Sequence, residues 1–192
     1  MPPSPSPSPA DAPAAAAAEQ AGGPARKTVD LHNYAPAYLA WIANKLGRGA
    51  SQAYLAAFDV GIEVWRILVL LAIEPALSAQ HICRVMGMDK AQVSRSFKSM
   101  QAKGLIRVGL DPRDGRLRIA SITPAGRELH DRIYDLALER ERALLSALSA
   151  EERAQLLRLL HKVHDSLGLA EAATRDYLAD HHPGARRRPR IP

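Results

Sequence analysis

Residues 78–122 constrain what this chain can fold into more than any other stretch. Ser78 is placed to N-cap a helix that Gly87 ends with a residue tolerant of positive φ. Asp89 is placed to cap a second helix, and Gln92, three residues on, completes a capping-box-like pair. Gly104 ends that second helix. The runs Leu105–Leu110 and Leu117–Ile122 then read as two strands around the turn Asp111-Pro-Arg-Asp-Gly-Arg116, where Pro, Asp and Gly supply turn geometry. The predicted order is helix, tight turn, helix, two-stranded hairpin.

The second helix has two unlike faces. Val93, Phe97 and Met100 recur at helical spacing and are expected in the core. The opposite face carries Ala91, Arg95, Lys98 and Ser99, flanked by Gln92 and Ser94. A small, hydroxyl-rich and basic face suits a helix lying in a DNA major groove. Arg113, Arg116 and Arg118 add cations at or beside the hairpin tip, as a wing reaching the backbone or minor groove would require. The pattern is a winged helix-turn-helix. Its candidate DNA contacts are Ser78, Lys90, Ala91, Gln92, Ser94, Arg95 and Lys98 on the helices, and Arg113, Asp114, Arg116 and Arg118 on the wing.

Charge placement agrees. The formal net charge is +6, and residues 84–118 alone hold nine Lys and Arg against three Asp. Residues 119–180 hold eight against eleven acidic residues, and residues 28–83 hold three against four. The excess cation therefore sits on the predicted reading head and on the termini, the footprint of a nucleic-acid binder.

Several pieces in order carry a family resemblance: Trp65-Arg-Ile-Leu68, Met86-Gly-Met-Asp89, Val93-Ser94, Lys103-Gly-Leu-Ile106, Asp111-Pro-Arg-Asp-Gly-Arg116, Ile122-Thr-Pro-Ala-Gly126 and Leu148-Ser-Ala-Glu-Glu-Arg153. Residues 60–125 resemble the DNA-binding domain of the MarR family of bacterial regulators, and the similarity extends to about Leu167. The resemblance implies a homodimer in which the first and last helices interlock with those of a second subunit. It implies a repressor on a pseudo-palindromic operator in double-stranded DNA, released by a small-molecule effector bound between the helical region and the reading head. It also implies that Asp114 holds Arg116 at the wing tip and that Arg116 enters the minor groove.

The fold class expected is mainly α with a small β-hairpin wing. Residues 1–27 are Pro, Ser, Ala and Gly in near repeats and are expected to be disordered. Residues 28–59 are assigned to an N-terminal dimerisation helix, with Gly47 and Gly49 as the place where it could divide. Residues 60–122 form the winged head, opened by an apolar helix over 61–73 that Pro75 closes. Residues 123–170 are assigned to C-terminal dimerisation helices, begun by Thr123-Pro124 and by a Ser149/Glu152 capping box. Residues 171–192 read as a basic tail that adds non-specific phosphate affinity.

Six of the nine aromatic residues lie between positions 34 and 65. Ordinary packing accounts for most such clusters; the functional alternative is the wall of an effector pocket, with Tyr38, Trp41 and Trp65 as candidates. The favoured effector is then an aromatic acid or its CoA thioester, with a redox or metal signal as the alternative. His161 and His164 have metal-ligand spacing but no evident partners, and Cys83 occupies a position that wants a small hydrophobe. No phosphate loop, nucleophile elbow or paired catalytic carboxylate is present, so neither an enzyme nor a cofactor is expected. No apolar run reaches membrane-span length and no secretory signal is visible, so a cytoplasmic protein is the simplest expectation. The rival from another class is an architectural DNA-binding protein without ligand control.

Overall fold

The computed structural model describes residues 27–184, so the expected disorder of residues 1–27 falls, but for Lys27, outside the described residues, as does most of the basic terminal run. The chain divides into two compact units between Asn44 and Lys45. The elements are α1 (Ala35–Phe58), α2 (Ile62–Ile73), β1 (Leu77–Ser78), α3 (Ala79–Met86), α4 (Lys90–Ala102), β2 (Ile106–Leu110), β3 (Arg118–Ile122), α5 (Pro124–Leu144), α6 (Ala150–Asp165) and α7 (Leu167–His181).

The helix ends are set by local chemistry. The Ser78 hydroxyl accepts from the His81 amide, the Asp89 carboxylate from the Gln92 amide, and the Thr123 hydroxyl from the Gly126 amide. Gly87 (φ 64°) and Gly104 (φ 69°) take the left-handed conformation after α3 and α4. At α6 both halves of the capping box form: Ser149 Oγ accepts from the Glu152 amide, and the Glu152 carboxylate accepts from the Ser149 amide.

The core of the second unit is a single cluster. Ile67, Leu68 and Leu71 of α2 pack with Ile82 of α3, Val93 and Met100 of α4, Ile106 of β2, Ala120 of β3 and Ile133 of α5. Phe97 is half-buried against it. The sheet has three strands in the order β1-β3-β2, all antiparallel, with Ile106 opposite Ile122 and Leu110 opposite Arg118. The sequence predicts two of these strands. The third, Leu77 and Ser78 against Ala120 and Ile119, is too short to leave an alternation pattern.

Four expectations are corrected. First, α1 is unbroken through Gly47 and Gly49. A mid-helix glycine costs up to about 1 kcal/mol, too little to break a helix of 24 residues; a Cβ on Gly49 would stand 3.4 Å from Arg140 Nη2, an ordinary contact, so no close approach calls for glycine there. Ala50 and Tyr54 then bury the following turns. Second, Gln92 does not close a capping box on Asp89; its side-chain amide donates to Glu63 Oε1 at 3.4 Å. Third, helix continues past residue 170, because Ser166 interrupts the chain only briefly and the Ala-rich segment after it forms α7 up to His181. Fourth, Asp114 and Arg116 do not meet side chain to side chain. Asp114 Oδ1 instead accepts the Arg116 backbone N–H at 3.0 Å.

Candidate nucleic-acid interface

The turn between α3 and α4 presents α4 with its polar face outward. Val93 and Met100 are fully buried on the inner side. Ala91, Ser94, Arg95, Lys98 and Ser99 are exposed on the outer side, with Lys90 exposed at the first turn. These five positions on one strip thus combine two cations with three side chains no larger than Ser, which lets a helix approach base edges closely. Gln92 is half-buried and turned toward Glu63, so it braces α4 rather than extending the outer strip. The Ser78 hydroxyl oxygen serves the start of α3; its proton remains a potential donor.

The wing carries its cations at one end. Arg113, Asp114, Arg116 and Arg118 are all exposed. Two aspartates shape the turn: Asp111 Oδ1 accepts from the Arg113 amide at 2.8 Å, and Asp114 Oδ1 accepts from the Arg116 amide at 3.0 Å. The backbone on either side of the tip is thereby fixed while the guanidinium groups point to solvent. Arg118 is paired across from Leu110, on the opposite face of the hairpin from Arg107.

Three further cations belong to the account. Arg84 is exposed on α3 with its guanidinium 3.0 Å from His81 Nδ1, and Arg107 is exposed on β2. The strand alternation Ile106-Arg107-Val108 is the signal that points Arg107 outward. Lys103, the residue ending α4, turns back instead: its ammonium donates to the Asp59 carbonyl at 2.5 Å and to Asp59 Oδ2 at 2.7 Å. That hydrogen bond, and then the Lys103 charge, hold the Asp59 carboxyl below the usual carboxylate range. Asp59 itself adopts φ 53°, a conformation that Asp tolerates better than most residues.

The aromatic candidates fall in both units. Tyr38 and Trp41 sit in the first, edge to face at 5.5 Å and each 44% exposed. Trp65 sits in the second, half-buried, edge to face with Tyr54 at 6.2 Å and stacked on His130 at 5.2 Å. His130 stacks in turn on Tyr134 at 6.0 Å. The i, i+4 spacing of His130 and Tyr134 on α5 is a signal the sequence offers for extending this cluster. Tyr54 is 3% exposed, and burial pushes its phenol above the ordinary value, partly offset by the Arg140 charge. A separate open groove of about 740 Å³ lies between the end of α4, β2 and the start of α5, lined by Gln101, Arg107, Val108 and Thr123 among others. Among the described residues no group of three or more His, Cys, Asp or Glu is placed to hold a metal ion. Cys83 is half-buried against the core.

Comparison with known proteins gives matches to both sequence and shape. A family model described as MarR family matches residues 58–117. The chain is 29% identical over 113 residues to the HTH-type transcriptional regulator YwaE of Bacillus subtilis, a match covering 59% of this chain and 66% of that protein, just under two thirds of its length. The crystal structure of a MarR/EmrR family transcriptional regulator from Acinetobacter sp. ADP1 superposes with a TM-score of 0.68 at 34% identity, covering 73% of this chain and 99% of that one. BpsR of Bordetella bronchiseptica, whose DNA binding is regulated by 6-hydroxynicotinic acid, shares the fold with a TM-score of 0.63 at 22% identity, covering 72% and 99%.

Proposed function

Because this chain belongs to the MarR family of DNA-binding transcriptional regulators, we propose that it acts in the cytoplasm as a homodimeric repressor of a pseudo-palindromic operator, released by a small aromatic effector. The observation that carries the reading is the outward strip of α4, with Arg95 and Lys98 exposed beside small residues, followed in the chain by a wing with three exposed arginines at its end. Arg95 and Lys98 read or flank bases in the major groove, and the wing cations neutralise phosphates or enter the minor groove. Two such heads, about one helical turn of DNA apart, specify a palindrome.

The effector class rests on Trp65, His130 and Tyr134, stacked in series, with the buried Tyr54 backing Trp65 edge to face. Arg140 reaches the α1 backbone at Leu46 and acts electrostatically on Tyr54, so a cation stands by for a carboxylate. Tyr38 and Trp41 remain candidates in their own unit. The regulation of BpsR DNA binding by 6-hydroxynicotinic acid is a property of that protein and supports the same effector class here.

Footprinting on the DNA flanking the coding sequence tests the proposal. A short protected palindrome, lost on adding a hydroxylated aromatic acid or its CoA thioester, is the expected result. Protection that spreads without sequence preference would replace the regulator by an architectural DNA-binding protein. A discrete footprint that responds to oxidant or metal, and to no aromatic acid, would replace only the effector.

A further inference from the structure

Both ends of α4 are tied to the same short stretch, Asp59 in the junction between α1 and α2 and Glu63 in the first turn of α2. At the C-terminal end, Lys103 Nζ is bound by two oxygens of Asp59, the backbone carbonyl and Oδ2. At the N-terminal end, Gln92 Nε2 donates to Glu63 Oε1. Asp59 and Glu63 are four residues apart, whereas Gln92 and Lys103 span nearly the whole of α4. Neither tether belongs to the apolar core, and neither follows from helix capping, since each joins residues far apart in sequence.

We propose that Asp59 and Glu63 are positioning residues for sequence reading: they set the angle and depth at which α4 meets DNA and make that setting depend on how α1 meets α2. The inference rests on α4 being the recognition helix. Val93 and Met100, each about a turn from one end of α4, hold its inner face against the core, yet apolar contact is non-directional and leaves small rotations and slides unspecified. Tethers at the two ends remove that freedom. A bidentate contact to a base pair is sensitive to such displacements, whereas a phosphate contact by a long flexible cation is not. The junction also follows directly on Tyr54 and Phe58 of α1 and precedes Trp65 of α2, so a ligand that alters the packing of those rings acts on the tethers without touching DNA.

The charge of Asp59 makes the test discriminating in sign. In a DNA-binding head a carboxylate repels phosphate, and simple electrostatics has Asp59→Asn raise affinity for every duplex. The positioning role requires the opposite for the preferred sequence alone. Asn keeps the size of the side chain and tolerates the left-handed backbone, so Asp59→Asn isolates the tether from the turn. The probes are a duplex selected by the wild-type chain from a random pool and a scrambled duplex of equal length and composition. Asp59→Asn and Glu63→Ala are each expected to weaken binding to the selected duplex by about two- to thirtyfold, with affinity for the scrambled duplex equal or higher. Lys103→Met serves as the second variant on the same tether: loss confined to the selected duplex supports positioning, and equal loss on both duplexes makes Lys103 a phosphate contact and overturns it. In the double variant Asp59→Asn with Lys103→Met the two losses are expected not to add, as for groups acting through one interaction. Unchanged or increased affinity of Asp59→Asn for the selected duplex overturns the inference and leaves the regulator reading intact. A wild-type chain that selects no sequence overturns both.

Discussion

Arg116 stands at the tip of the wing with its amide held by Asp114 and its guanidinium exposed. An exposed arginine with no ion-pair partner among the described residues does little for folding, but beside DNA it meets a concentrated negative potential, strongest in a narrow A·T-rich minor groove. Arg116→Ala is therefore expected to leave thermal unfolding nearly unchanged while weakening binding to the selected duplex about tenfold or more, equivalent to roughly 1.4 kcal/mol. The slope of log affinity against log salt becomes shallower by about one for each phosphate contact removed. Asp114→Ala gives a smaller loss, because the cation stays while the turn loses the carboxylate that receives its amide. Fluorescence anisotropy across a salt series reads both; wild-type affinity for Arg116→Ala at physiological salt would transfer the role to Arg113 or Arg118. The residues most legible from sequence were those whose partners lie three positions away. Ser78, Asp89, Thr123 and Ser149 all cap as their types and spacing require, and Gly87 and Gly104 turn where helices end. Lys103 was legible only as a cation, because Asp59 lies 44 positions away and no local rule connects them.

At the scale of elements, the joint between α4, β2 and α5 is closely packed. Thr123 Oγ1 donates to the Gly104 carbonyl at 2.6 Å, the Thr123 amide donates to the Leu105 carbonyl at 3.1 Å, and Gly126 packs on that same carbonyl. A Cβ on Gly126 would stand 2.1 Å from the Leu105 oxygen and 3.0 Å from Ile122 Cγ1. Backbone cannot swing aside as a side chain does, so α5 would have to lift from the hairpin. Gly126→Ala is expected to lower stability by about 1–3 kcal/mol, the cost typical of overpacking a well-filled site, despite the better helix propensity of Ala. Urea denaturation checks this, and an unchanged or higher midpoint would show that α5 repacks freely. The Thr-Pro start of α5 was readable because the cap and the proline are local signals. The reason for Gly126 was not, since the obstacle is the Leu105 carbonyl, in the connection between α4 and β2 and far back in the sequence. The same limit explains β1, whose two residues acquire strand geometry only by pairing with β3.

For the molecule as a whole, the apolar surface left open decides the assembly. The winged head buries its own core, but α6 and α7 contain no buried residue at all. On α6, Leu156, Leu159, Leu160 and Val163 follow helical spacing and are between 36% and 51% exposed, with Leu157 at 54% beside them. The first unit repeats the pattern, with Leu39, Trp41 and Ile42 between 40% and 50% exposed. Taking a leucine from full exposure to full burial is worth about 1.5–3 kcal/mol, and covering one already half covered gains roughly half of that, so several together exceed the cost of associating two chains only if they are buried jointly. In the proposed homodimer, a second copy of the chain with the same stripes would satisfy that condition by symmetry and set two heads apart for the two halves of a palindrome. The expected result is a dimer in sedimentation equilibrium at micromolar concentration, with a thermal midpoint that rises with protein concentration as linkage requires. Leu159→Lys with Leu160→Lys places two charges on the stripe without entering the head's core. It should yield a monomer or an aggregation-prone chain that retains the weak, salt-sensitive attraction of a single head and loses the cooperative grip on the palindrome. A wild-type chain that sediments as a folded monomer and still binds the selected palindrome tightly would rule out this assembly.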